Sequence, residues 1–135
     1  MTGILALYAV AWGLSGFHGV APPLVHDQTV AYAAAPPGQI LVSPLLEADC
    51  TGDAQDRANC LSTLIHELAH EFQKPGMPVW QVEGGAEAFA RLYDGAIERR
   101  VGVAPIHWAY NGFVRQVRRL GLGWLRKGQF VTGAR

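Results

Sequence analysis

An apolar stripe with helical spacing lies in the middle of the 135-residue chain and constrains its fold more than any other feature. Its members recur every three or four residues, the period of one face of an α-helix: Leu61, Leu64, Ile65, Leu68 and Phe72. Pro75 and Gly76 together break helices, so we expect this helix to begin near Asp56 or Arg57 and to end before Pro75. The stripe must be buried, and the rest of the chain has to supply the core that covers it.

His66 and His70 lie on the same helix, on the side away from the stripe. Residues four apart on a helix are separated by about 40° around its axis, so both imidazoles can reach a single ion. Glu67 directly follows the first histidine and leans over the same side. A catalytic zinc site needs three protein ligands and one open position. The pattern therefore predicts two ligands of a metal centre and requires a third from elsewhere.

A second helix is predicted directly after the break, at residues 78–93. Its apolar stripe, extended to residue 97, is Val82, Ala86, Phe89, Tyr93 and Ile97. If the short connection folds the two helices back on each other, Glu83 returns to the histidines as the third ligand. One turn later, Glu87 can accept a hydrogen bond from the outer N–H of a ligating histidine. The adjacent Gly84 and Gly85 indicate a very close backbone neighbour, which we expect to be the histidine helix.

At these two segments the chain resembles the gluzincin metallopeptidases, whose motif pairs His-Glu-x-x-His with a downstream Trp-x-x-Glu-Gly-x-Ala-Glu stretch. The residues that match the first half are His66, Glu67 and His70. The residues that match the second half are Trp80, Glu83, Gly84, Ala86 and Glu87. The resemblance covers residues 61–94, and the two motifs together are far more specific than either alone.

The resemblance implies a zinc metallopeptidase, an endopeptidase rather than an exopeptidase, which hydrolyses a peptide or protein substrate with one catalytic Zn²⁺. The implied metal ligands are His66, His70 and Glu83. Glu67 would be the general base toward the metal-bound water. Gluzincins usually add a tyrosine or histidine that hydrogen-bonds the oxyanion of the intermediate, and the candidates here are His107 and Tyr110.

The expected fold class is α+β, a minimal zincin-like domain that takes up residues 1–135. We expect an N-terminal helix, a small twisted three-stranded sheet, the histidine helix, the glutamate helix and a C-terminal packing helix. The apolar run at residues 4–14 is interpreted as a buried first helix rather than a signal peptide, because no lysine or arginine precedes it.

Strands are predicted at residues 24–26, 30–33 and 39–43, where short β-rich runs are separated by turn residues. The last of them is expected to be the edge strand along which an extended substrate lies. Residues 105–126 predict the C-terminal helix, and residues 128–135 predict a loose tail.

The charges are segregated along a chain whose net charge is zero. Residues 47–98 carry ten of the eleven carboxylates, whereas residues 99–135 carry eight basic groups and no acidic one. We interpret the basic segment as a solvated face, since no nucleic-acid or membrane motif accompanies it. The sequence does not indicate an oligomeric state.

Three alternatives stay open. Cys50 and Cys60 are equally compatible with a disulfide, which indicates an extracellular protein, and with free thiols, which indicate a cytoplasmic one. The chain has little beyond the core to enclose a substrate, so an additional protein could complete the cleft. A zincin-fold regulatory or binding module, an inactive metal-stabilised scaffold that binds a partner through its basic segment, is the alternative function. His18 and His26 are expected to be ordinary loop or strand residues.

Overall fold

The structure, a computed structural model, describes residues 2–135, and within them the chain is α+β with a small mixed sheet. The elements in chain order are α1 (Thr2–Ser15), β1 (Leu24–His26), β2 (Ala33–Ala34), β3 (Ile40–Val42), α2 (Pro44–Asp49), α3 (Ala54–Phe72), α4 (Val79–Arg91), α5 (Asp94–Val101), α6 (Asn111–Arg118) and a π-helical turn (Trp124–Gly128). In the described part of the chain, no helix is both long and apolar enough to cross a membrane.

Helix α3 carries the two histidines, and its apolar face is buried as its sequence period predicts. The helix begins at Ala54, earlier than expected, because the Asp53 side chain accepts a hydrogen bond from the backbone N–H of Asp56 and caps the first turn. It packs against α1, α4 and α5. A disulfide joins Cys50, at the end of α2, to Cys60 on α3. Helix α3 is therefore held on several sides.

The three-stranded sheet has the order β1-β3-β2, with β1 parallel and β2 antiparallel to β3. The prediction that residues 39–43 form an edge strand is wrong, because β2 pairs with β3 on the side away from β1. The second strand is displaced from residues 30–33 to Ala33–Ala34. Residues 27–29 form a turn before it, in which Asp27 accepts hydrogen bonds from Thr29. The free edge beside the site thus belongs to β2.

The predicted second helix is divided in two, since α4 ends at Arg91 and α5 carries the buried Ile97. The expected neighbour of the two glycines is also wrong. A Cβ on Gly84 would lie 2.8 Å from the Cβ and the carbonyl oxygen of Phe113 in α6. A Cβ on Gly85 would lie 2.5 Å from Oε1 of Gln129. The close approach is therefore to α6 and to the C-terminal segment, not to α3.

The C-terminal helix is shorter than predicted, because Gly121, with φ of 95°, adopts a left-handed conformation after α6 and the chain continues into the π turn. The prediction of a loose tail at residues 128–135 is wrong. Phe130 and Ala134 are buried, and Phe130 forms an antiparallel bridge with Gln73. Arg135 donates to the carbonyl oxygen of Ser15. Buried side chains and the hydrogen bonds of Arg135 therefore anchor this segment.

The basic groups of α6, of the residue that follows it and of the π turn are exposed: Arg115, Arg118, Arg119, Arg126 and Lys127. None of these five forms an ion pair with any residue between 2 and 135. The acidic middle of the chain therefore does not neutralise this segment.

Candidate metal centre

Three side chains that the sequence predicts as metal ligands converge where α4 folds back on α3. The Nε2 atoms of His66 and His70 lie 3.0 Å apart. Oε1 of Glu83 lies 3.1 Å from Nε2 of His70, and its Oε2 lies 3.6 Å from Nε2 of His66. The short connection between the helices brings the carboxylate to the imidazoles, as the break at Pro75 and Gly76 requires.

Glu67 lies beside the same point. One ligand atom from each of His66, Glu67 and His70 lies within 4.8 Å of the others, so this group can hold a metal ion. Glu67 is buried, and burial raises the pKa of its carboxyl even though both histidines oppose the shift. A carboxylate made more basic in this way is suited to accepting a proton near neutral pH.

The outer nitrogens of both histidines are hydrogen-bonded, which fixes the direction of each ring. Nδ1 of His66 lies 3.1 Å from Oε1 of Glu87, the partner expected from the sequence. Nδ1 of His70 lies 2.8 Å from Oε1 of Gln73. The Gln73 amide donates its Nε2 hydrogen to the carbonyl oxygen of Val82 at 2.8 Å, so its Oε1 is left to accept from His70. Both imidazoles therefore carry a hydrogen on Nδ1, which leaves Nε2 as the nitrogen of each ring that faces the centre and can bind a metal ion.

These donor atoms fit a divalent metal. Ligands about 2.0–2.1 Å from a tetrahedral ion lie about 3.3 Å from one another, and the separations of 3.0, 3.1 and 3.6 Å are close to that value. Two imidazole nitrogens and a carboxylate at these distances attract a cation. Burial opposes protonation of His66, but Glu83 and Glu87 outweigh it and raise the pKa of its imidazole to about 9. The surroundings thus favour positive charge at this point.

Tyr110 is brought to the centre, as expected for an oxyanion-stabilising candidate. It precedes α6 with φ of 61°, and its ring stacks on the His66 ring with the centroids 5.9 Å apart. Burial and then the interaction with Glu83 raise the pKa of its hydroxyl to about 12. The hydroxyl therefore stays protonated at neutral pH and can donate a hydrogen bond.

His107, the other candidate, lies behind Glu87. Its Nε2 is 2.7 Å from Oδ2 of Asp94, and its Nδ1 is 3.5 Å from Oε2 of Glu87. Asp94 and then Glu87 raise the pKa of this imidazole to about 9. Both ring nitrogens face carboxylates, so His107 supports Glu87 and does not point at the position of a reacting group.

Sequence reasoning missed two residues that support the centre, Gln73 and Arg91. Arg91 donates to Oε2 of Glu87 at 3.1 Å and to the carbonyl oxygen of Ala109 at 2.9 Å, which connects α4 to the loop that carries Tyr110. The signal for each was its spacing on a helix, three residues after His70 and four after Glu87.

The centre lies in a cleft of about 1140 Å³. Its lining residues include Ala33 and Ala34 of β2 and residues 106–110. His18 and His26 lie outside the cleft, and His26 pairs with Glu47 at the surface.

No protein-family model, curated protein or solved structure matches this chain. An assignment of function therefore depends on the geometry of this centre.

Proposed function

We propose that the protein is a zinc-dependent metallopeptidase of the gluzincin type with a zincin-like arrangement of α3, α4 and β2. The observation that carries the proposal is the convergence of two Nε2 atoms and the Glu83 carboxylate, with both outer nitrogens already hydrogen-bonded. Two histidines and one glutamate are a donor set of catalytic zinc, which keeps its fourth position open. The disulfide supports an oxidising, extracytoplasmic location.

His66, His70 and Glu83 would hold the ion, which when bound lowers the pKa of a water molecule and polarises a carbonyl group. Glu67 takes the proton from the attacking water and delivers it to the nitrogen of the leaving amine as the C–N bond breaks. Tyr110 donates a hydrogen bond to the oxygen on which negative charge develops. Glu87 and Gln73 keep the two imidazoles in the ligating tautomer.

An extended polypeptide is the substrate that the cleft supports best. Strand β2 pairs with β3 on one side only, and Ala33 and Ala34 line the cleft. A free strand edge can bind a peptide through main-chain hydrogen bonds that do not depend on sequence. Recognition of this kind suits internal segments of a chain and favours an endopeptidase.

The test is Glu67→Gln, with Glu71→Gln as the matched control one turn later on α3 and outside the cleft lining. We expect Glu67→Gln to keep stoichiometric zinc in metal analysis and to lose about 100-fold or more of its cleavage of casein or a mixed peptide library. Glu71→Gln should cleave like the wild type. Cleavage at the wild-type rate by Glu67→Gln would overturn the proposed mechanism.

The second candidate is a metal-stabilised zincin-fold module that works only with a partner protein. It is favoured by apolar side chains that line the cleft yet are largely exposed, namely Leu45, Ile106 and Trp108, which is 74% exposed. Clustered exposed apolar groups are typical of surfaces that another molecule covers. Wild-type protein that holds zinc but cleaves nothing across a broad peptide library would favour this function over the first.

A further inference from the structure

Gln129, a completely buried glutamine, has an amide whose orientation is fixed by the backbone around it. Its Nε2 donates to the carbonyl oxygen of Leu125 at 2.8 Å and to that of Gly85 at 3.1 Å. A carbonyl oxygen can only accept, so the Gln129 amide cannot be turned around without leaving two buried acceptors unpaired. Its Oε1 is therefore held toward Gln73.

Gln73 is oriented by Gln129 and in turn orients His70, a proposed metal ligand. Its Nε2 donates to Oε1 of Gln129 at 2.9 Å and to the carbonyl oxygen of Val82 at 2.8 Å. Both partners are acceptors, so Oε1 of Gln73 must face Nδ1 of His70, which lies 2.8 Å away. His70 must then carry a hydrogen on Nδ1, which leaves Nε2 as the nitrogen that can bind a metal ion.

We propose that Gln129 is a positioning residue of the metal centre, which acts through Gln73 to hold His70 in the metal-binding tautomer. The inference rests on the proposed metal site but not on peptide hydrolysis. His66 has a separate support, because its Nδ1 lies 3.1 Å from the carboxylate of Glu87. The two histidines are therefore oriented independently: His66 by the carboxylate of Glu87, and His70 by the side-chain amides of Gln73 and Gln129.

The local backbone is arranged to place this amide. The N–H of Gln129 donates to the carbonyl oxygen of Trp124 at 3.0 Å, closing the wide π turn, and the N–H of Lys74 donates to the carbonyl oxygen of Gln129 at 2.9 Å. π turns of this kind occur frequently at functional sites. A Cβ on Gly85 would lie 2.5 Å from Oε1 of Gln129, so only glycine leaves room for the amide beside α4.

The experiment records the tautomers of both histidines by imidazole ¹⁵N NMR in metal-free, alkaline solution, and zinc affinity by competition with a chromophoric chelator. Wild-type protein should show His70 as a single Nδ1–H form. In Gln129→Met and in Gly85→Ala, which displaces the amide without changing either glutamine, His70 should become a mixture of tautomers while His66 stays unchanged. Zinc affinity should fall about 10–100-fold in both variants.

Gly84→Ala is the matched control, because its Cβ would meet Phe113 and not Gln129. It perturbs the packing of the same helix and should leave the His70 tautomer as in the wild type. An Nε2–H form of His70 in the wild type, or an equal change in Gly84→Ala and Gly85→Ala, would overturn the inference without needing Gln129→Met to fold. Absence of zinc binding by the wild type would refute the proposed function, while the NMR comparison would still decide what Gln129 does.

Discussion

Removal of the Cys50–Cys60 disulfide should destabilise the protein by an amount that follows from the length of the loop it closes. The two cysteines are 10 residues apart, and the chain-entropy relation for a loop of that length gives about 2.7 kcal/mol at 25 °C. Both cysteines are buried, so replacing them with alanine also removes two packed sulfur atoms, which adds about 1 kcal/mol. We therefore expect Cys50→Ala/Cys60→Ala to lose about 3–4 kcal/mol of unfolding free energy.

Urea denaturation followed by the fluorescence of the four tryptophans measures this loss. Chelator must be present in both samples, because a bound metal would stabilise the folded state of each by mass action. The dependence of free energy on urea should become steeper, since the unfolded chain without the cross-link exposes more surface. A loss below about 1 kcal/mol would refute the entropic argument.

The proposed zinc binding and peptide cleavage should survive this change. Cys60 and His66 are six residues apart on α3, about 9 Å along the helix axis. The double variant should therefore bind zinc and cleave peptide as well as the wild type per folded molecule. A selective loss of zinc affinity at full folding would show that the disulfide also orders the centre.

Three further predictions concern the site. Tyr110→Phe should keep its zinc affinity and lose about 100-fold or more in kcat; an unchanged kcat would remove Tyr110 from the mechanism. A chelator such as 1,10-phenanthroline should abolish cleavage and lower Tm, and added Zn²⁺ should restore both; cleavage that persists after complete metal removal would contradict a metal-dependent reaction. Asp94 and then Glu87 raise the pKa of His107 from 6.5 to about 9, so its stabilising contribution is fully present below pH 6.5 and is lost as the pH rises through 9. Urea unfolding of metal-free His107→Asn should thus show its largest deficit against wild type below pH 6.5, and a deficit that stays constant to above pH 9 would argue against this origin.

The convergence of His66, His70 and Glu83 could be predicted from the sequence because it depends on local rules. Helical spacing places His66 beside His70, and the helix break after Phe72 lets Glu83 return to them. The same spacing places Glu87 one turn beyond Glu83. These relations require only the period of a helix and one reversal of the chain.

The predictions that were wrong depend on contacts between distant parts of the chain. The path of residues 27–32 brings β2 against the second side of β3. Strand propensity does not predict this pairing. The adjacent Gly84 and Gly85 indicated that another part of the chain packs closely against this helix. The two glycines alone do not indicate which element that neighbour is. Nothing near Gln129 in the sequence indicated its proposed role, because that role depends on contacts with Gly85 and Gln73, which lie 44 and 56 residues away.

The proposed support of His70 by Gln129 also bears on the order in which the centre forms during synthesis. Protein synthesis proceeds from the N-terminus, so His70 and Glu83 emerge from the ribosome long before Gln129 and Phe130 can pair with the end of α3. The bond from Arg135 to Ser15 spans 120 residues, and contacts of such long range are slow to form. A chain that ends before Gln129 therefore carries His70 and Glu83 without the amide that we propose orders His70.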